Sequence, residues 1–363
     1  MGGSPCTSWS CAKSSGRETQ PEGQGWELFK NYLIAKEKFQ PDYFLYENNW
    51  SASKAIKAQI QEELNCELMR INSNLVSAQN RDRFYVFNWK IGQPEDRHIV
   101  LKDILETGEN LESQDKAHCL TANYFKAVPW NTIEKKQRSM VADAVGVAYR
   151  SRPDETGKNV KRYEARGDRN ANALTTVRTD SMVATPVGVG ATTNNLKLYE
   201  VANGKIEIKG KQYPIKLKDG HYIIRKLTPI ECERLQTMPD NYTAAVSNTQ
   251  RYRGLGNGWT AEVIIHILQE ALEGVSKNEK ITVLSLYDGI GTGRYCLDKM
   301  GFTNVEYHAY EIDKYAIKVA TSNYPDIIQH GDAFQVRDEI WVPPGIIRTE
   351  ECFDRGGCFK FSS

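Results

Sequence analysis

The stretch ITVLSLYDGIGTG, Ile281 to Gly293, is the most informative in the chain. Ile281 to Tyr287 is an apolar run, the pattern of a strand buried on both faces, and it ends in a glycine-rich turn. A helix follows and stops at Gly301. A second strand, Val305 to Tyr310, delivers Glu311, and a third around Ile327 and Ile328 delivers Gly331 and Asp332. This βαβαβ pattern implies an α/β fold with a parallel sheet and right-handed crossovers.

Such a turn brings backbone N–H groups and a helix N-terminus close to a ligand. Asp288-Gly289-Ile290-Gly291-Thr292-Gly293 lacks the spacing of the dinucleotide fingerprint, and a turn of this kind also serves simply to pack a strand on a helix. The acid on the next strand adds to it. Glu311 lies 23 residues after Asp288, the distance at which a carboxylate accepts hydrogen bonds from ribose hydroxyls. Asp332 could accept from an adenine amino group. A nucleoside is therefore expected at the carboxyl ends of these strands, but spacing alone does not separate S-adenosylmethionine from NAD.

Working outward, Gly274 to Lys280 reads as a flexible linker, preceded by a helix from Thr260 to Leu272 with Val263, Ile264, Ile267 and Leu268 inward. Residues 105 to 220 lack sustained periodicity. Within them, Lys135 to Arg169 carries ten basic and five acidic residues, a local net charge of +5. The whole chain is balanced, 47 Lys and Arg against 46 Asp and Glu, so any basic surface must be local. With 40% hydrophobic residues the chain is globular rather than disordered. No apolar run of roughly 18 residues is present, so no membrane span is expected. Eight cysteines without C-x-x-C pairs read as a reduced, cytoplasmic chain without zinc or a disulfide framework. Cys352 and Cys358 are a weak metal signal.

The amino-terminal part offers groups suited to chemistry. Gly2 to Gly25 is a long polar loop containing Cys6 and a competing thiol, Cys11. In polar, exposed company a thiolate can be nucleophilic. Tyr43 to Tyr46 is a strand candidate ending at Glu47-Asn48-Asn49, a carboxylate among amides suited to proton donation, or an ordinary turn acid. Ser51 to Leu64 is a helix with Ile56, Ile60 and Leu64 on one face, and Phe84 to Phe87 another strand. Gln79, Arg81 and Arg83 alternate, so in extended chain all three point to one side, where they could fix a planar base or phosphates.

With these residues assembled, the sequence resembles the DNA cytosine-5 methyltransferase family of bacteria and phages. Asp288 to Gly293 is similar to its first cofactor motif, and Glu311 and Asp332 to its second and third. Gly2-Gly3-Ser4-Pro5-Cys6 resembles the nucleophile motif, Trp26 to Phe29 the helix lining the cofactor cleft, and Glu47-Asn48-Asn49 the E-N-V motif with Asn in place of Val. Gln79, Arg81 and Arg83 match Q-x-R-x-R, Leu227 to Pro239 resembles the ninth motif, and Gly256-Asn257-Gly258 the G-N-x-x motif. Ala171 to Thr176 resembles a segment inside the recognition domain.

The resemblance implies a Rossmann-like methyltransferase sheet with helices on both faces and a smaller, irregular target-recognition domain. Catalytic parts are implied at residues 1–95, target recognition at 96–245, cofactor binding at 246–345 and a tail at 346–363. It implies S-adenosylmethionine held by Asp288, Gly289, Ile290, Gly291, Gly293, Glu311, Asp332, Leu28 and Asn257. Cys6, Glu47, Arg83, Arg81 and Gln79 fall at catalytic positions, and duplex DNA would lie on Lys135, Lys136, Arg150, Arg152, Lys161 and Arg162. No metal is implied, the expected state is a monomer, and a cognate restriction enzyme is a further partner raised by the family. An RNA methyltransferase of the same chemistry and an inactive DNA-binding protein are the rival readings.

The motif order departs from the family: the cofactor motifs come last, either a circularly permuted arrangement joined through the 274–280 linker or the reflection of a circular gene map opened inside the gene. The family's strand leading into Pro5-Cys6 is expected here from the tail, around Glu351 to Phe361, or from another chain.

Overall fold

A computed structural model describes all residues except 11–14, 112–114, 145–146, 154–158, 166–197, 338–345, 348–359 and 362–363. The amino-terminal elements are α1 (Gly23–Phe39), β1 (Leu45–Asn49), α2 (Lys54–Leu64), β2 (Leu68–Asn72) and β3 (Asp82–Phe87). Next come α3 (Leu101–Ile104), β4 (Glu109–Asn110), α4 (Pro129–Ile133), β5 (Met140–Ala144), β6 (Val147–Pro153), β7 (Asn159–Ala165), β8 (Leu198–Ala202), β9 (Lys205–Ile208), β10 (Lys211–Pro214) and β11 (Gly220–Lys226). Helices α5 (Pro229–Leu235), α6 (Asn248–Asn257) and α7 (Ala261–Ala271) lead to β12 (Ile281–Leu286), α8 (Thr292–Lys299), β13 (Val305–Tyr310), α9 (Lys314–Asn323) and β14 (Ile328–Gln329). A short pair, β15 (Ile346–Ile347) and β16 (Lys360–Phe361), closes the chain.

The expected parallel unit is present: β12 pairs with β13 and β13 with β14, all parallel. The amino-terminal strands form a second run, β1-β3-β2, in which β3 is antiparallel to both neighbours. What joins the two runs is the first two residues of the chain. The Gly2 N–H donates to the Leu45 carbonyl (2.9 Å), its carbonyl accepts from Glu47 N–H (3.0 Å), and the Met1 carbonyl accepts from Leu286 N–H (3.0 Å). Gly2 thus lies parallel to both β1 and β12. The result is one mixed sheet in the order β2-β3-β1-(Met1–Gly2)-β12-β13-β14.

Of the tail expected to supply the strand before Pro5-Cys6, residues 351–359 lie outside the described residues. Met1 and Gly2 occupy that lane, and Lys360–Phe361 pairs instead with Ile346–Ile347 in a separate two-stranded sheet. Among the described residues, Met1 and Gly2 are what fill this lane. Beside it, toward the starts of β1 and β12, a groove of about 490 Å³ is lined by Phe39, Tyr43, Trp89, Leu272, Ile281 and Val283.

Helices cover both faces, as the apolar patterning requires. On one side α1 and α2 bury Trp26, Phe29, Tyr32, Ile56 and Ile60 against Tyr46, Phe84 and Leu286. On the other, α7 and α8 bury Val263, Ile264, Ile267, Cys296 and Leu297 with Tyr307 and Ala309. The Ser53 hydroxyl caps α2 by accepting from Ile56 N–H at 3.2 Å, so the helix starts slightly later than the apolar spacing suggests.

The region without periodicity holds a six-stranded sheet in the order β10-β9-β8-β11-β5-β4 and a separate β6–β7 hairpin. It then closes on the mixed sheet through the segment from Leu227 to Pro239. Thr228 and Glu231 form a reciprocal capping box around Pro229, which fixes the start of α5. The buried Glu231 and Glu233 pair with Arg225 (2.8 Å) and Arg251 (2.9 Å). Gln236 then bonds the Leu255 carbonyl at 2.6 Å, fastening the end of α6.

Candidate active site

β1 is buried at every position because it lies inside the sheet, so its carboxylate must be paired. In register Glu47 faces Tyr85 and Asn49 faces Arg83, which makes Glu47 and Arg83 diagonal neighbours on one face. Arg83 Nε lies 3.0 Å from Glu47 Oε1. The Trp259 indole N–H donates to Oε2 at 3.0 Å. Burial pulls the Arg83 guanidinium down, but Cys119, Glu47, Cys6 and Tyr85 around it outweigh that and hold it above its ordinary value.

Cys6 is half-buried and opens a single 3-10 turn, Cys6–Ser8. Its carbonyl accepts from the Ser10 (2.9 Å) and Trp9 (3.1 Å) N–H groups. The preceding residues are fastened from β1: Asn48 Nδ2 donates to the Ser4 carbonyl (2.9 Å), and Ser4 Oγ bonds Tyr46 Oη at 2.7 Å. The Asn at positions 48 and 49 therefore does local work, since Asn49 also reaches the Cys6 carbonyl at 3.5 Å. Gly3 passes so near that a Cβ there would sit 2.8 Å from Glu47 Oε2. The loop beyond is tied by the buried Trp9, whose indole donates to Glu18 at 3.1 Å. Cys11, the competing thiol, lies outside the described residues.

Gln79, Arg81 and Arg83 all reach toward Cys119-Leu120. Gln79 Oε1 accepts from Leu120 N–H (3.2 Å), Arg81 Nη1 donates to the Leu120 carbonyl (3.0 Å), and Arg83 Nη2 lies 4.0 Å from Cys119 Sγ. Gln79 and Arg81 are buried and used up by backbone. Gln79 donates to the Leu235 carbonyl at 2.6 Å, and Arg81 to the Gly258 and Gly256 carbonyls at 2.7 and 3.3 Å. They organise the site, while Arg83 stands beside the carboxylate. Burial raises the Cys119 thiol, but the charges of Arg81 and Arg83 win and lower it below its ordinary value.

At the carboxyl ends of β12 to β14, the turn expected to cradle a cofactor has Gly289 and Gly291 at φ of 65° and 78°. A Cβ at Gly289 would meet nothing within 4 Å, so space is open above the turn. Glu311 accepts from the N–H groups of Gly289 (2.8 Å), Ile312 (2.9 Å) and Asp313 (2.8 Å). Asp332 accepts from Phe334 N–H at 3.0 Å, and Ile312 and Phe334 are exposed beside these acids. Asp288 is half-buried under the turn, with its Oδ2 buried. Burial pushes its carboxyl up to about 6, although Tyr307 donates to it at 2.7 Å. Gly293 packs so tightly that a Cβ would lie 2.4 Å from Tyr307 Oη. Ile290 is buried against α6, where a Cβ at Gly254 would approach it to 2.8 Å. On the α1 side, Tyr287 Oη donates to the Leu28 carbonyl at 2.7 Å. Asn257 ends α6.

Among the expected DNA contacts, Lys135 and Lys136 are exposed after α4, and Lys135 sits over the Trp130 ring at 4.8 Å. Arg150 stands opposite Arg162 and Ser151 opposite Lys161 in the β6–β7 register, with Arg152 opposite Val160. Ala171 to Thr176, Cys352 and Cys358 lie outside the described residues. Among the described residues no His/Cys/Asp/Glu group could hold a metal, and no helix is long and apolar enough to cross a membrane.

Three residues escaped the sequence. Trp259 and Cys119 are distant in sequence from Glu47 and Arg83, and only the fold brings them together. Tyr242, which donates to the Ile290 carbonyl at 2.9 Å, had no motif to flag it.

The signature of C-5 cytosine-specific DNA methylases matches residues 1–273 of the chain. The chain is 23% identical over 325 residues to the orphan methyltransferase M.SPBetaI of Bacillus phage SPbeta, covering 72% of each. It has the same identity and coverage with the putative type II methyltransferase M.BsuMIIP of Bacillus subtilis strain 168. A shorter match, 30% identical over 118 residues, is to the DNA (cytosine-5)-methyltransferase DRM2 of Oryza sativa subsp. japonica, covering 32% of this chain and 19% of that protein.

Proposed function

Since the chain belongs to the C-5 cytosine-specific DNA methylase family, and is thus a methyltransferase using S-adenosylmethionine, we propose that it methylates carbon 5 of a flipped-out cytosine in duplex DNA through a Cys6 adduct. The observation that carries this reading is the Glu47 carboxylate, held at 3.0 Å by Arg83 and packed against Gly3 of the segment ending in Cys6. In the sheet, Met1–Gly2 sets that segment directly beside β12, whose end carries Asp288.

Carbon 5 of cytosine is a poor nucleophile. Attack of the Cys6 thiolate on carbon 6 forms a C–S bond and moves the ring electrons so that carbon 5 becomes enamine-like. Glu47 bonds N3 and the exocyclic amine and moves a proton there as charge builds, and Arg83 holds O2. Gln79 and Arg81 keep the surrounding backbone in place. S-adenosylmethionine, when bound, supplies an electrophilic methyl group on a sulphonium. Glu311 would take the ribose hydroxyls and Asp332 the adenine amine, with Asp288, Gly289, Ile290, Gly291 and Gly293 shaping the turn, and Leu28 and Asn257 the flanks. Loss of the carbon 5 proton to solvent then expels the Cys6 thiolate and restores the ring. These atoms are out of reach in a duplex, so the base must leave the stack. Lys135, Lys136 and the β6–β7 hairpin, with Arg150, Arg152, Lys161 and Arg162, would meet phosphates. The order of the parts is a circular permutation closed through residues 274–280.

The test is incubation with tritiated S-adenosylmethionine and duplex DNA containing 5-fluorocytosine, which blocks the final proton loss. A labelled covalent complex, absent in Cys6→Ser, is expected. No complex from folded protein that still shifts DNA would mean an inactive binder, and label transferred to transfer RNA instead would move the substrate.

A further inference from the structure

The catalytic carboxylate is held from an unexpected direction. One of its oxygens meets Arg83, and the other accepts from Trp259 Nε1 at 3.0 Å. Trp259 directly follows Gly256-Asn257-Gly258, the segment that packs on the cofactor turn: a Cβ at Gly254 would lie 2.8 Å, and one at Gly258 3.6 Å, from side-chain carbons of Ile290. The Gly258 N–H closes this segment onto the Gly254 carbonyl at 2.8 Å, and Arg81 grips its carbonyl at 2.7 Å. One short, braced segment therefore touches the cofactor turn at one end and Glu47 at the other.

We propose that Trp259 is a positioning residue that sets the plane of the Glu47 carboxylate and couples it to the cofactor turn; this rests on the reading of Glu47 given above. An indole N–H is a donor only, so it favours an acceptor oxygen without adding charge. With Arg83 on Oε1 and Trp259 on Oε2, rotation of the carboxylate is blocked and its remaining lone pairs are aimed. Gly3 completes the arrangement, since a Cβ there would press within 2.8 Å of Oε2 and 3.3 Å of Trp259 Nε1. The Trp259 body also belongs to the apolar core around α7, which holds the ring in place.

Trp259→Phe keeps most of the ring and removes the N–H. A hydrogen bond to a charged group is worth enough that adduct formation on 5-fluorocytosine DNA should slow roughly tenfold or more. Affinity for S-adenosylhomocysteine should stay within twofold, and the substitution should add nothing further in a Glu47→Gln background. In parallel, the indole ¹⁵N–H resonance assigned to Trp259 by its loss in Trp259→Phe should move in Glu47→Gln. An adduct rate within twofold of the parent overturns the proposal. An undiminished effect in the Glu47→Gln background also does so, because it would mark a merely structural role. An unmoved resonance overturns the hydrogen bond itself. If the parent forms no adduct, the reading of the reaction has failed, and the resonance alone decides whether Trp259 holds Glu47.

Discussion

Removing the Arg83 side chain strands a carboxylate. The pair sits at 3.0 Å with side-chain exposures of only 13% and 11%, so water screens it poorly. At an effective dielectric near 20, the Coulomb attraction at that distance is about 5 kcal/mol. Breaking such a pair by deleting one partner typically costs about 3–5 kcal/mol, because the other charge stays buried. The Trp259 N–H remains on Oε2 and offsets part of this, so Arg83→Ala should lose about 2–4 kcal/mol of stability. Glu47→Gln in the same chain removes the stranded charge, and the double variant should recover about 2 kcal/mol of the summed losses. The assay is urea unfolding at pH 7.5 without cofactor, followed by tryptophan fluorescence. A loss under about 1 kcal/mol for Arg83→Ala, together with strict additivity, would refute the claim that this pair holds Glu47.

Gly256→Ala would place a Cβ 2.2 Å from the Thr121 carbonyl carbon and 2.3 Å from the Ala122 nitrogen, both backbone. Overpacking against backbone should cost about 3 kcal/mol and lower the melting temperature by several degrees, and an unchanged melting curve contradicts that packing. Glu311→Ala strips three backbone N–H groups of their acceptor and removes the proposed ribose partner, so S-adenosylhomocysteine should bind about 10- to 100-fold more weakly by calorimetry; equal affinity removes Glu311 from the proposed cofactor site. The Asp288 carboxyl is raised to about 6 in the folded chain, so the native state binds its proton more tightly than the unfolded state. Its contribution to stability therefore falls as pH rises from about 4 to about 6, by about 3 kcal/mol in all. Asp288→Asn should be more stable than the parent above pH 6 and lose that advantage toward pH 4; a gain independent of pH would deny the raised value.

The parallel unit was legible because its central strands are largely apolar and lead into acid-bearing turns. Ile281–Leu286 reads as a largely apolar run, and it and Val305–Tyr310 each lead into a turn with an acid at its tip. Glu47 stood out in sequence as an acid beside two amides, and the fold places it at the middle of β1, paired with Arg83. The antiparallel sheet between Glu109 and Lys226 was not. Its strands run from two to seven residues, and β10, Lys211–Pro214, is half basic or proline. Alternation over so short a span does not rise above composition. Nor could spacing reveal that Arg81 and Gln79 are consumed by carbonyls of residues more than 150 positions away, since those bonds exist only after the chain has folded back.

Met1 and Gly2 bear on how the sheet can move. Among the described residues they are what bonds β1 to β12, the seam of the sheet, and an apolar groove lies beside them. One lip of the seam carries Glu47 and the other carries the turn at Asp288. Any shear between the lips is delivered to the strip of chain stitched between them, and four residues further on that strip is Cys6. The proposed nucleophile thus rides on the suture itself, and the amides of Gly2, Glu47 and Leu286 should exchange with solvent as one unit, at the rate at which the two halves part.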